Sequence, residues 1–418
     1  MHSIHTVSHP AQPENEVPKG AVAALSLAAF ASGISLRVTD ALLPRLAQEF
    51  SLSLGAAAGV ITVFSIAYGL SQLFFGPMGD RFGKYLVIAW GCAACTLTSA
   101  VCALAPSFAL LLLARTLAGA TAASIIPLSM AWIGDVIPYE RRQPVLARFL
   151  IGQILGLSAG VFAGGYAAEH FSWRLPFVGI ALLFVVISVV LFSMNRQLPH
   201  FARLTHRAQG SLLKRMHSEF AQVLGVPWAR VVLLTVFCEG AFLYGAFAFI
   251  VSHLHRVHAV ALSTAGAVVM LFGFGGLLFA LGAARLVKRL GESGLARWGG
   301  ALVTASFLTI ALAPQWWWSL PACFVAGLGF YMLHNTLQIN ATQMAPERRG
   351  AAVAAFASCF FLGQSAGVAL SGLLLAVAGT TGILLVGAAG VLALSLGFGA
   401  LRAARQRAGP AFTSVKST

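Results

Sequence analysis

"ERRQPVLARFLIGQILGLSAGVFAGG", residues 140–165, returns 207 positions later as "ERRGAAVAAFASCFFLGQSAGVALSG", residues 347–372. Identical small residues fall at Gly156/Gly363, Ser158/Ser365, Gly160/Gly367 and Gly165/Gly372. Past its first turn each copy is apolar for about 20 residues, the length that crosses a hydrocarbon core. One spanning segment repeated in the same sense implies that its neighbours repeat as well. "GLSAG" and "GQSAG" also fit the pattern G-x-S-x-G. That pattern makes a nucleophile only on a strand-to-helix turn with a partner histidine. In the middle of two matching helices, the same residues let helices approach closely.

Working outward, the 418 residues are 58% hydrophobic and 9% charged, with mean hydropathy +0.85. A soluble domain carries about 25% charged residues, so the chain reads as a polytopic, all-α membrane protein. Twelve spans are expected, at 21–44, 56–76, 85–105, 108–134, 145–168, 174–194, 229–252, 262–285, 297–313, 317–340, 350–376 and 381–401. The longest connection follows the sixth. The expected organisation is a tail (1–20), a six-helix bundle (21–194), a linker (195–228), a second six-helix bundle (229–402) and a tail (403–418). The two bundles are expected to be pseudo-symmetric. In the linker, Leu212, Leu213, Met216, Phe220, Val223 and Leu224 recur at helical spacing with Lys214 and Arg215 among them. This is an amphipathic helix, lying on the inner leaflet or packed on the ends of the bundle.

Charge position sets the expected orientation. Of the 27 lysines and arginines, Arg37 and Arg115 fall within spans and Arg45, Arg174 and Arg256 on one side. The rest lie on the other side or in the turns facing it. The positive-inside rule then puts both tails and the linker in the cytoplasm. The net charge of +15 is therefore a topology signal and not a nucleic-acid footprint. "MHSIHTVSHPAQPENEVPKG" has neither a basic n-region nor a cleavage site, so no cleaved signal peptide is expected. Trp316, Trp317 and Trp318 sit where indole rings favour the interface. All six cysteines fall in spans, and Cys92 and Cys95 read as packing residues, with no second pair to make a metal site. No cofactor is expected.

"GPMGDRFGK", residues 76–84, resembles the loop signature of the major facilitator superfamily at Gly76, Gly79, Asp80, Arg81, Gly83 and Lys84. A degenerate copy, "ARLVKRLG", follows the eighth span, with Lys288 in place of the acid. "RTLAGATAASIIPLSMAWIGD", Arg115 to Asp135, is similar to the family's fourth span, which opens on a buried arginine and ends on an acid. Gly156, Gly160, Gly164 and Gly165 match the glycine motif of its antiporters, although Val161 stands where that motif has proline. The resemblance covers nearly the whole chain and is nearest the twelve-span drug:proton antiporters. It implies alternating access around a cavity lined by spans 1, 4, 7 and 10. It also implies a gating role for Gly76, Asp80, Arg81, Gly83, Lys84 and Asp135, with Asp80 meeting the helix that opens span 11.

Of twelve acids, only Asp40 and Glu239 lie well inside spans. With Arg37, Arg115 and His334 they fall in spans 1, 7, 1, 4 and 10. An ionisable group at the bilayer centre costs at least ~2.5 kcal/mol unless it meets a partner or water. At ~1.5 Å per residue, Asp40 should lie ~6 Å below the outer end of its span and Arg37 and Arg115 ~10 Å. Arg37 and Asp40 share a helix face. The expected proton-coupling set is Asp40, Arg37, Arg115 and Glu239, with a structural Arg–Asp pair as the alternative. The expected cargo contacts are Tyr68, Gln72, Glu239, Tyr244, Tyr331, His334 and Asn335.

The expected function is proton-coupled efflux of a small amphipathic compound across the inner membrane, by a monomer and without enzymatic chemistry. The alternative is a proton symporter importing a small organic anion on Arg37 and Arg115.

Overall fold

Two helical runs, Leu262–Leu312 and Arg349–Arg407, have 51 and 59 residues. At ~1.5 Å per residue each is far longer than a ~30 Å core needs. Each is interrupted by one glycine with left-handed φ, Gly291 (φ 61°, ψ 176°) and Gly379 (φ 61°, ψ −178°). A side chain at that φ would be strained, so glycine is what allows the chain to turn back in a single residue. The rest of the described chain supplies eight further crossings.

The computed structural model describes residues 19–203 and 212–407. Of the expected tails, 1–18 and 408–418 lie outside the described residues, and 403–407 continue the last helix. The spanning helices are α1 (Lys19–Glu49), α2 (Leu54–Phe82), α3 (Lys84–Leu104), α4 (Phe108–Val136), α5 (Tyr139–His170), α6 (Leu175–Gln197), α7 (Pro227–His258), α8 (262–290), α9 (292–312), α10 (Trp316–Gln343), α11 (349–378) and α12 (380–407). The face holding the start of α1 and the end of α12 is here the terminal face, and its opposite is the distal face.

Most helices extend past their apolar runs, because polar turns continue the hydrogen-bond ladder where hydrocarbon ends. The consequence is largest in α1. Its helix runs on to Glu49 with Leu46 and Ala47 buried, so Arg45 lies within it. Asp40 is thus ~14 Å from the distal end of its helix instead of the expected ~6 Å. Capping sets the distal turns. Ser53 accepts from the Ala56 amide at 3.1 Å to start α2, and Ser107 accepts from the Leu110 amide at 3.3 Å to start α4.

The repeated glycines form the same seam twice. On α5, Gly156 lies so close to α1 that a Cβ would overlap the Phe30 carbonyl, and on α11, Gly363 lies equally close to Phe237 of α7. The six-helix bundles α1–α6 and α7–α12 are therefore built on one plan. They meet along α2–α11 and α5–α8. At the distal end a Cβ at Gly55 would overlap Gly372 and one at Gly165 would overlap Leu262, whereas a Cβ at Gly76 or Gly350, near the terminal face, would point into space open to at least 4 Å. The interface is closed toward the distal side. Outward, α6 shows Leu182, Val186 and Val189 more than 60% exposed, the apolar surface that lipid requires.

The linker joins both bundles. Trp132 of α4 donates to the Ala202 carbonyl at 2.9 Å, and the helix Leu212–Gly225 buries Val223 while Gln222 accepts from Arg348 at 2.9 Å. In the second half of this helix Val223 is buried, Phe220 half-buried and Leu224 exposed. The side chains of residues 212–217, including Leu212, Leu213, Lys214, Arg215 and Met216, lie outside the description.

Candidate functional site

Arg37 stands at the centre of the molecule, 3% exposed, where α1 meets the second bundle. Its Nη1 faces Asp40 Oδ2 at 3.4 Å, and its Nη2 donates to Gln364 Oε1 of α11 at 3.1 Å. The guanidinium lies 3.7 Å from the ring centroid of Tyr244 on α7, with Phe247 at 5.6 Å. Gln364 passes the connection on, donating from Nε2 to Ser65 Oγ of α2 at 2.9 Å, and beside it Ser365 donates to the Thr62 carbonyl at 3.2 Å. One polar chain thus joins α1, α11 and α2 across the boundary between bundles. Sequence reasoning named Arg37 and Asp40 but missed Gln364 and Ser65, which are uncharged and look like ordinary polar residues of apolar helices.

Arg115 is equally buried and differently employed. Its three nitrogens donate to the Ser35 carbonyl (3.0 Å), Thr39 Oγ1 (3.4 Å) and the Val60 carbonyl (3.4 Å), and its guanidinium lies 4.1 Å from the Phe64 ring centroid. These bonds tie α4 to α1 and α2. The direct partner of Asp40 is Arg37 alone among the described residues, and Asp40 Oδ1 is buried without a hydrogen bond.

Glu239 and His334, singled out separately in the sequence, are brought together. His334 Nδ1 lies 2.8 Å from Glu239 Oε2, joining α7 to α10, while Glu239 Oε1 is buried with no hydrogen bond. The imidazole stacks on Phe330 (5.0 Å) and meets Phe360 (4.7 Å) and Phe356 (5.4 Å). Immediately after Glu239, residues Gly240–Tyr244 form a π-helical turn. Such turns recur at functional sites because they re-aim side chains within a helix. Here the turn brings the Tyr244 ring under Arg37. Glu239 is fully buried, but His334 keeps 18% of its side chain exposed.

The remaining candidates scatter around this centre. Tyr68 is buried against Phe361 of α11, 4.1 Å between centroids, with Gln72 buried one turn further along α2. Tyr331 and Asn335 are half-buried on α10.

The expected gating residues gather at the terminal face, away from the centre. Lys84 bridges Asp80 and Asp135, both at 2.8 Å, and Gly83 turns the chain with φ 92°. Arg81 lies over the Phe82 ring at 5.1 Å. The three charged partners all belong to the first bundle. In the second bundle Glu292, just after Gly291, accepts from Asn340 of α10 (2.9 Å) and Arg402 of α12 (2.8 Å).

A family model described as Major Facilitator Superfamily matches residues 25–368. An uncharacterized MFS-type transporter of Bacillus subtilis, YceJ, is 24% identical over 85% of this chain and 91% of its own length. Multidrug resistance protein 2 of the same organism is 23% identical over 82% of this chain and 86% of its own. Among solved structures, the nucleoside transporter NupG superposes with TM-score 0.75 at 14% identity, covering 91% of this chain and 99% of that one.

Proposed function

The chain belongs to the Major Facilitator Superfamily, and on that premise we propose that it is a proton-coupled secondary transporter exporting a small amphipathic compound by alternating access. The observation that carries this reading is a pair of buried carboxylates, Asp40 and Glu239, one in each bundle. Each has one oxygen engaged by a base and the other without a hydrogen bond. A buried carboxylate with an unpartnered oxygen is costly. It is relieved by a proton or by a cationic or hydrogen-bond-donating ligand. Asp40 takes the proton-carrying role, and Glu239, among Phe330, Phe356 and Phe360, takes the cargo-facing role. Two relatives named for drug resistance and drug export, Multidrug resistance protein 2 and the multidrug export protein EmrB of Escherichia coli, support the direction.

The membrane is the bacterial inner membrane, with the terminal face in the cytoplasm, because the basic residues concentrate there. The state with a closed distal face is then the one that loads from the cytoplasm. A proton arriving from outside on Asp40 returns the empty carrier to this state. Its loss to the cytoplasm prepares the carrier for export.

The test is transport in proteoliposomes with an imposed pH gradient. Asp40→Asn, a permanent mimic of the protonated acid, should abolish gradient-driven accumulation while leaving cargo-for-cargo exchange within about threefold of wild type. Accumulation by Asp40→Asn would move the proton to another group.

A further inference from the structure

The polar chain from Arg37 to Ser65 passes through one side chain of the second bundle. Gln364 is fully buried in α11, 327 positions from Arg37 in sequence, and both ends of its amide are in use. We propose that Gln364 is the positioning residue through which the second bundle reads the charge on Asp40, by holding Arg37 when Asp40 is protonated and losing it when Asp40 is ionised. This rests on the assignment of the coupling proton to Asp40.

The geometry carries the argument. An arginine–carboxylate pair that is fully formed closes to about 2.7–2.9 Å. Arg37 and Asp40 stand at 3.4 Å, while the same guanidinium bonds Gln364 at 3.1 Å and lies on the Tyr244 ring. In the closed-distal state Arg37 is therefore held mainly by the second bundle. Asp40 Oδ1, buried and unpartnered, is where a proton can reside without displacing any bond. When that proton leaves, the full negative charge draws Arg37 toward Asp40, and the bonds to Gln364 and Tyr244 weaken together. Both are bonds between bundles. Their loss frees α11 and α7 from α1 and favours opening on the distal side.

Gln364 suits this task because its carbonyl accepts from Arg37 while its amide nitrogen is anchored on Ser65 of α2. A shorter or apolar residue would break the chain between bundles. The charged and titratable groups around Asp40 are few. Arg37 lies on its own helix, Arg115 on α4, Tyr68 on α2, Glu239, Tyr244 and His253 on α7, and Tyr331 and His334 on α10. The stretches 149–168 of α5, 175–195 of α6 and 262–284 of α8 carry no acid, base or histidine. Arg115 is fixed by its three bonds to α1 and α2, so Arg37 is the cation beside Asp40 that can change partners across the interface.

The experiment measures the conformational balance of the full-length protein in nanodiscs, across pH 5 to 9 and without cargo. Spin labels are placed at Phe82→Cys and Gly350→Cys on the terminal face of a cysteine-free background. In the parent the ratio of the two distance populations should change at least tenfold over this range. Gln364→Leu should reduce the change to less than twofold, with the distal-open population favoured at every pH. Gln364→Glu supplies a stronger acceptor for Arg37, so it should move the profile toward the opposite extreme, with the distal-closed population favoured wherever the new carboxylate is ionised. Ser65→Ala, which removes only the anchor of the amide, should leave an intermediate dependence. Opposite extremes from two substitutions at one site cannot arise from a general loss of stability. If Gln364→Leu keeps the parent's pH dependence while Asp40→Asn abolishes it, Gln364 does not read the charge and the coupling role of Asp40 stands. If Asp40→Asn itself keeps the dependence, the coupling assignment fails and the role of Gln364 falls with it.

Discussion

Arg115 shows how far a buried charge can be committed to structure. Three directional bonds to α1 and α2 use the fork of the guanidinium, and a lysine ammonium has neither that shape nor that reach. Arg115→Ala should lower the stability of the purified protein by about 3 kcal/mol, because it leaves buried acceptors without donors. Arg115→Lys should recover less than half of that, read as thermal midpoint in detergent. Glu239→Gln tests the other bundle. The amide keeps the volume and one bond to His334 but loses the charge. Cargo with a basic nitrogen should bind at least tenfold more weakly, measured by equilibrium binding, while the melting temperature stays within a few degrees. Equal affinity in the two proteins would leave Glu239 as a structural partner of His334.

At the scale of helices, the glycine seams and the charged turns make separate demands. Gly156 and Gly363 allow α5 and α11 to lie against the backbones of α1 and α7, where any Cβ would overlap a carbonyl. Overpacking a fitted interface costs about 1–3 kcal/mol. Gly156→Val and Gly363→Val should each fall in or above that range, and the similarity of the two losses checks that the bundles are equivalent. The α2–α3 turn is different, since Asp80 is partly exposed and Lys84 retains Asp135 if Asp80 is neutralised. Asp80→Asn should leave cargo affinity within about twofold and slow transport at least tenfold, because the lost charge biases one conformation without touching the ligand. Loss of binding with an unchanged conformational balance would remove the gating role.

For the whole molecule, the decisive quantity is the sidedness of charge. Val257 lies at the distal end of α7 and Leu224 on the linker helix, and both are more than half exposed. In a cysteine-free background, Val257→Cys should react with an impermeant maleimide added to intact cells. Leu224→Cys should react only after the membrane is opened. Labelling of Leu224→Cys in intact cells would invert the proposed topology.

The twelve crossings, the two-bundle plan and the central acids and bases were legible in the chain itself. Hydrophobic length, glycine repetition and the rarity of charge in lipid are properties of residues taken a few at a time. Element ends were less legible, as α1 shows, because a helix continues wherever its ladder can, past the point where the sequence stops being apolar. The partnerships were not legible. Glu239 with His334, Arg37 with Gln364, and Lys84 with Asp135 each join residues whose separation along the chain says nothing about their separation in space. The π-helical turn after Glu239, which brings the Tyr244 ring beneath Arg37, has no signature in "CEGAFLYG". Sequence determined which groups must find partners in the membrane. Only the packing of one bundle against the other decided which partners they found, because a buried polar group bonds whatever the fold places within about 3 Å of it.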